Sequence, residues 1–329
     1  MIHNNHENAK PLLCPKKKES SLLLFILAIL IVDYYITKVM KYLFLALRPK
    51  QWLKNLFIFL PLIFGKMLFV FPANLESVIA FLLFSMIASV GYLLNDIIDV
   101  ERDRLHPTKS LRPIASDKIS IRQAQLMAFI LGSMSIPLSF LLDVKFGWLV
   151  IIYFVFNLIY TKVLKNVVII DVFCIGTFFL LRIIAGGIIA NVELSHWILF
   201  MTGLLALFLG FIKRRQELKM LEEKGTLHRH VLERYSTYFI DQMIAVITSS
   251  IVVVYILYTV DSNTVNFIGT KHLMYSIPFV YYGIFRYLYL IYKHNEDGDP
   301  TNVLLSDSKM QINLALWIIV CIGIIYFKL

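Results

Sequence analysis

Apolar runs of membrane-spanning length recur along most of the chain. They fall near residues 52–71, 75–95, 124–142, 147–164, 167–190, 196–212, 239–260, 273–292 and 311–327. A hydrocarbon core of about 30 Å needs roughly 20 helical residues. Inside it, a lone segment can satisfy its own backbone hydrogen bonds only as a helix. The expected fold is therefore all-α: a polytopic membrane protein of about nine transmembrane helices. Composition agrees. The 329 residues are 58% hydrophobic, with mean hydropathy +0.72, whereas soluble domains are about 45–50% apolar.

Charge gives the orientation. The chain carries a net +10, and the excess falls in short loops between spans. That pattern is topological and phosphate-binding, and it points away from nucleic acid. The loop after the second run holds Arg102, Arg104, Lys109, Arg112, Lys118 and Arg122. The turn after the fourth holds Lys162 and Lys165, and the loop after the sixth opens on Lys213, Arg214 and Arg215. The other side has few cations: Lys66, Lys145, Lys271 and Lys328. Loops after even-numbered runs are thus expected in the cytoplasm. Cys14, Cys174 and Cys321 lie far apart in sequence and suggest neither a disulfide framework nor a zinc site.

Residues 1–44 read as an extension. Its apolar run, 22–32, is short for a span and follows Lys16, Lys17 and Lys18. An interfacial or peripheral helix suits it, with an uncleaved signal-like segment as the alternative. Residues 45–329 read as one membrane domain.

The chemistry concentrates where the second run ends, at Asn95-Asp96-Ile97-Ile98-Asp99-Val100-Glu101-Arg102-Asp103. Three aspartates at i, i+3 and i+7 share one helix face. Carboxylates at a membrane boundary are unfavourable without a partner. Oxygen ligands with room for water and phosphate suit Mg²⁺, so Asp96, Asp99 and Asp103 are the expected metal ligands. Glu101 falls on the opposite face and is expected at the surface.

Cations follow. Pro107 is expected to end the helix, leaving Lys109 and Arg112 in a loop beside the carboxylates. Arg can grip phosphate bidentately, and Lys supplies a compact charge. Lys165 lies in the turn that begins at Tyr160 and leads to Asp171, an acidic residue inside an apolar run. Arg182 lies eleven residues further on, almost on the same face but about 16 Å away along a straight helix. It cannot touch Asp171 directly. It faces an internal cavity or pairs with another helix. Lys213-Arg214-Arg215-Gln216-Glu217 ends the sixth run and could surround the same phosphates, or simply cap the helix. Ala185-Gly186-Gly187 reads as close helix packing.

These residues resemble the UbiA superfamily of intramembrane prenyltransferases. Asn95-Asp96-x-x-Asp99-x-x-x-Asp103 matches its first aspartate motif. Further segments are similar to the branch that transfers phosphoribosyl to decaprenyl phosphate: residues 47–55, 99–115, 181–187 and 213–218. The resemblance runs from about residue 45 onward. It implies a UbiA-like helical bundle and a Mg²⁺-dependent transfer of 5-phosphoribosyl from phosphoribosyl pyrophosphate to a polyprenyl phosphate, with release of pyrophosphate. It implies an enzyme of a bacterial inner membrane whose site faces the cytoplasm. Asp96, Asp99, Asp103 and Asp171 would be catalytic. Asn95, Lys54, Lys109, Arg112, Tyr160, Lys165, Arg182, Lys213, Arg214 and Glu217 would bind substrate.

Two features depart from the family pattern. Asp117 stands where glycine is expected, and Asp171 is the main acidic residue where a second aspartate-rich motif is usual. The alternative reading is an aromatic prenyltransferase that uses a prenyl diphosphate and a 4-hydroxybenzoate-type acceptor. A transporter is disfavoured, because the polar residues cluster at one set of helix ends.

Overall fold

The computed structural model describes residues 37–106, 108–224, 235–294 and 300–328. The apolar run at 22–32 and Pro107, both singled out in the sequence, lie outside them. A first helix, α1, covers 37–46. A 3-10 segment, Pro49–Ile58, and a short α2, Phe59–Phe64, follow. Then come α3 (Ala73–Ile98), α4 (Val100–Leu105), α5 (Ile121–Leu142), α6 (Val144–Lys162) and α7 (Ile170–Ala190). The remaining helices are α8 (His196–Lys224), α9 (Thr237–Val260), α10 (Ser262–Ile268), α11 (Ile277–His294), α12 (Pro300–Ser306) and α13 (Ser308–Phe327).

Seven of these are long and apolar enough to cross a bilayer: α3, α5, α6, α7, α8 (over His196–Lys219), α9 and α13. The expected nine is thus not reached among the described residues. The window 52–71 is broken into the 3-10 segment and the six-residue α2. The window 273–292 is divided between a 3-10 turn at His272–Ser276 and α11, which carries Arg286.

Local signals set the boundaries. Ser120 and Gln123 form a reciprocal capping box at the start of α5. Asp143 alone separates α5 from α6, and its side chain accepts from the Phe146 N–H. Ser236 and Asp307 cap α9 and α13 in the same way. Asp117, in place of the expected glycine, has φ 54°. The left-handed turn that favours glycine is therefore kept. Asp is among the residues that tolerate it, and its carboxylate pairs with Arg104 at 2.7 Å.

Two main apolar cores result, with two smaller clusters beside them. One joins α3, α5, α6 and α7 around Phe84, Ile87, Phe146 and Val150. The other joins α8, α9 and α11 around Phe208, Ile212, Ile244 and Tyr287. α7 packs against α8 and links them. α5 leaves Leu126, Phe129 and Leu141 exposed, as a lipid-facing helix would.

The 3-10 segment packs against α3 and α7. Its approach to α7 requires Gly186, where a Cβ would lie 2.1 Å from the Ile58 carbonyl oxygen. Gly186→Ala is expected to destabilise the protein by about 1–3 kcal/mol through overpacking. Thermal unfolding in detergent would show it as a lowered Tm. Gly132→Ala is the control, because a Cβ there meets nothing within 4 Å. It should leave Tm unchanged or raise it.

Candidate active site

α3 is the most buried of the spans, and it ends on the acidic motif. Asn95 and Asp96 occupy its last turn, Asp99 follows it, and Asp103 sits in α4. Asp96 is 3% exposed and Asp103 4%. Arg112 reaches both: its Nη1 lies 2.9 Å from Asp96 Oδ1 and 2.5 Å from Asp103 Oδ2. Arg48 donates to the same Asp96 oxygen and lies 5.1 Å from the centre of the Tyr92 ring. Asp99 turns elsewhere. Its two oxygens accept from Lys165 Nζ at 2.9 and 2.8 Å. Glu101 is exposed, as expected.

The three aspartates are therefore divided between two sets of cations. Asp96 and Asp103 share Arg112, and Asp99 takes Lys165. Among the described residues, no three or more His, Cys, Asp or Glu side chains converge to hold a metal on their own.

Burial dominates the electrostatics. It pushes the Asp103 carboxyl above the usual range, against the pull of Arg112, and nearby Asp96 adds to the rise. The Arg112 guanidinium is lowered by burial first and by Arg48 second, while Asp96 and Asp103 oppose the change. Two guanidinium groups thus repel each other across one carboxylate. Such a pair is a ready anion site, because an incoming phosphate would relieve that repulsion.

Asp171 lies in a second network. It is fully buried, accepts from Arg214 Nε at 2.5 Å and accepts from the Tyr235 hydroxyl at 3.0 Å. Arg214 also pairs with Glu217. The Tyr235 hydroxyl in turn accepts from the Ile169 N–H at 2.5 Å. Burial pushes that phenol up to about 12.

Among the described residues, Arg182 does not meet an acid. Its three hydrogen-bond partners are neutral: Asn55 Oδ1 at 2.7 Å, the Phe178 carbonyl at 2.6 Å and the Tyr153 hydroxyl at 3.1 Å. Tyr160 packs edge-on against Phe178 with ring centres 5.6 Å apart. Asn95, Lys54, Lys109 and Lys213 are half-buried.

Nine of the sequence-expected residues thus fall into three groups. Asp96, Asp103 and Arg112 form the centre, with Asp99 and Lys165 paired beside them along the motif. Asp171, Arg214 and Glu217 form a separate buried knot. Arg182 joins the 3-10 segment. Four residues were missed. Arg48 and Asn55 lie in the quoted 47–55 stretch, but nothing in it shows which way they point. Tyr153 and Tyr235 carry no sequence signal.

The buried helix α3 thus delivers carboxylates to a cluster of guanidinium groups. Residues 58–315 match the model of the UbiA prenyltransferase family, and the chain belongs to that family. It is 34% identical over 286 residues to the decaprenyl-phosphate phosphoribosyltransferase of Corynebacterium glutamicum, covering 85% of this chain and 86% of that protein. The Mycobacterium tuberculosis protein of the same name is 30% identical, with 83% and 90% covered. That of Mycolicibacterium smegmatis is 31% identical, with 86% and 92% covered. In fold, the chain is similar to a UbiA homologue from Archaeoglobus fulgidus bound to GPP and Mg²⁺. The TM-score is 0.64 at 19% identity, over 86% of this chain and 99% of that one.

Proposed function

We propose that this enzyme transfers 5-phosphoribosyl from phosphoribosyl pyrophosphate to a polyprenyl phosphate at the cytoplasmic face of a bacterial inner membrane. One observation carries the reading: Arg112 and Arg48 converge on the buried Asp96, and Arg112 also spans to Asp103. That constellation suits a phosphate-rich donor and its metal. The relatives named as decaprenyl-phosphate phosphoribosyltransferases support the same donor and acceptor.

The donor set also fits Mg²⁺. Asp96 and Asp103 are hard oxygen ligands that already face one shared cation, and diphosphate and water can complete a coordination shell. Asp96 and Asp103 would hold the ion, and Asp99 would join them on turning from Lys165. When bound, it would draw off charge that gathers on the departing pyrophosphate. Mg²⁺-bound relatives of the fold agree with this choice.

In the reaction, an oxygen of the lipid phosphate attacks C1 of the ribose. The C1–O bond to pyrophosphate breaks, and its electron pair leaves with the pyrophosphate. The nucleophile is already ionised at neutral pH, so no residue need remove a proton. Arg112, Arg48, Lys109 and Lys165 would orient phosphate oxygens, and Asn95, Lys54, Tyr160, Lys213, Arg214 and Glu217 would contribute to substrate binding. Asp171, a catalytic candidate in the sequence, would act instead as a positioning residue that holds Arg214. The lipid tail would enter an apolar cavity of about 370 Å³ bounded by the 3-10 segment, α2, α8, α9, α11 and α13, and lined by Phe57, Met201, Phe208, Tyr255, Tyr287 and Trp317.

The test is turnover by the purified protein. Labelled phosphoribosyl pyrophosphate with polyprenyl phosphate should give a labelled lipid. Prenyl diphosphate with 4-hydroxybenzoate should give no product; activity on that pair alone would favour the aromatic prenyltransferase. Topology is a second check. A cysteine at position 118 should be protected from impermeant reagents in intact cells, and one at 271 should react. The reverse pattern would put the site on the wrong face for a cytosolic donor.

A further inference from the structure

Arg182 is a cation inside a membrane span, 3% exposed. A charged residue at membrane depth carries a penalty of a few kcal/mol unless it is paired or functional. Its hydrogen-bond partners are neutral, and its guanidinium carbon lies 5.3–5.5 Å from the centres of the Phe84, Tyr153 and Phe179 rings. The rings and carbonyl offset part of the penalty. What the side chain contributes in return is a link to Asn55.

Asn55 belongs to the 3-10 segment Pro49–Ile58. It is 1% exposed, and its amide nitrogen donates to Ser85 Oγ of α3 at 2.9 Å. Trp52 of the same segment donates to Ser89 Oγ at 3.1 Å, and Ser89 donates back to the Leu47 carbonyl at 3.0 Å. Gly186, one helical turn beyond Arg182, admits the Ile58 carbonyl. The segment is therefore held from α3 at two points and from α7 at two. Its first residue is preceded by Arg48, whose backbone is left-handed at φ 55°. A non-glycine residue rarely holds that geometry unless its surroundings enforce it. Arg48 then reaches Asp96.

We propose that Arg182 is a positioning residue: through Asn55 it fixes the 3-10 segment and so aims the Arg48 guanidinium at the leaving pyrophosphate. The proposal rests on the transferase reading only in requiring that a diphosphate bind beside Asp96. A ligand common to either donor can therefore test it. The link runs from α7 through Asn55 to Arg48, so breaking it loosens the grip on pyrophosphate. Substitution of Arg182 should then be felt through Arg48 rather than independently of it.

The experiment measures binding of magnesium pyrophosphate by calorimetry to the purified full-length protein in detergent. The proteins are wild type, Arg182→Met, Arg48→Ala and the double variant. Arg182→Met should weaken binding about 10-fold, which corresponds to ~1.4 kcal/mol. In the Arg48→Ala background the same change should cost less than about 3-fold, because coupled residues are non-additive. Equal losses in both backgrounds would overturn the proposal, as would unchanged binding in Arg182→Met.

If Arg182→Met fails to fold, Asn55 supplies the contrast. Asn55→Asp keeps an acceptor for Arg182 and should lose much less affinity than Asn55→Leu, which breaks the link. Equal affinities for those two variants would also overturn it. Turnover of phosphoribosyl pyrophosphate by the wild type is scored separately. Loss of that activity with retained pyrophosphate coupling would remove the donor assignment and leave the positioning role standing.

Discussion

Asp96→Asn is expected to lower kcat by about 10²- to 10³-fold, the scale seen when one charge-stabilising group is removed from a reaction centre. Two effects add. The substitution removes a hard oxygen ligand from the proposed metal set. It also leaves Arg48 and Arg112 facing each other across a neutral amide, because both donate to the same Asp96 oxygen. Burial and Arg48 already lower the Arg112 guanidinium, so that repulsion is felt before the change. The protein should remain folded in detergent, since Asp103 still holds Arg112 at 2.5 Å. Steady-state turnover, with thermal unfolding as the control, checks this. Full wild-type activity in Asp96→Asn, or wild-type activity that survives EDTA, would remove the metal from the site.

Arg112→Ala should act mainly on the donor. A charged hydrogen bond contributes about 1.5–3 kcal/mol, so donor KM should rise about 10- to 150-fold. KM for the polyprenyl phosphate should change far less if its tail supplies most of its binding in the apolar cavity. Arg112→Lys should recover only part of the loss. One guanidinium nitrogen now meets both Asp96 and Asp103 while the planar group retains further donors, and an ammonium lacks that fork. Equal increases for both substrates would indicate loop damage instead.

Much of this is legible in the sequence. Apolar length marks membrane helices because a bilayer leaves the backbone almost no other choice, and seven such helices are present among the described residues. The aspartate spacing announced a shared face, and Asp96 and Asp103 do meet on Arg112. Asp99 departs because the regular helix ends there, at φ −93° and ψ 8°, within reach of Lys165.

The broken first run shows the limit. Hydropathy records that residues 52–71 are apolar. It cannot see that Asn55 is a polar position served from outside the segment, or that the backbone there winds as 3-10. That choice depends on Ser85, Ser89, Arg182 and Gly186, which lie at least 30 residues away. The knot at Asp171 was half visible. Its acid and its arginine were both candidates, but their pairing spans 43 residues and its third member, Tyr235, had no reason to stand out. Side-chain direction, which turns candidates into a site, is a tertiary property.

The transfer itself can be followed with two labels on one donor. Phosphoribosyl pyrophosphate carrying one isotope in its 5-phosphate and another in its pyrophosphate would be incubated with the purified enzyme, Mg²⁺ and polyprenyl phosphate. Partition into organic solvent then reports which bond broke. Cleavage at C1–O sends the 5-phosphate label into the lipid phase and leaves the pyrophosphate label in water, in equal amounts. A lipid phase that carries the pyrophosphate label, or neither label while a prenyl group moves to an aromatic acceptor, would contradict phosphoribosyl transfer.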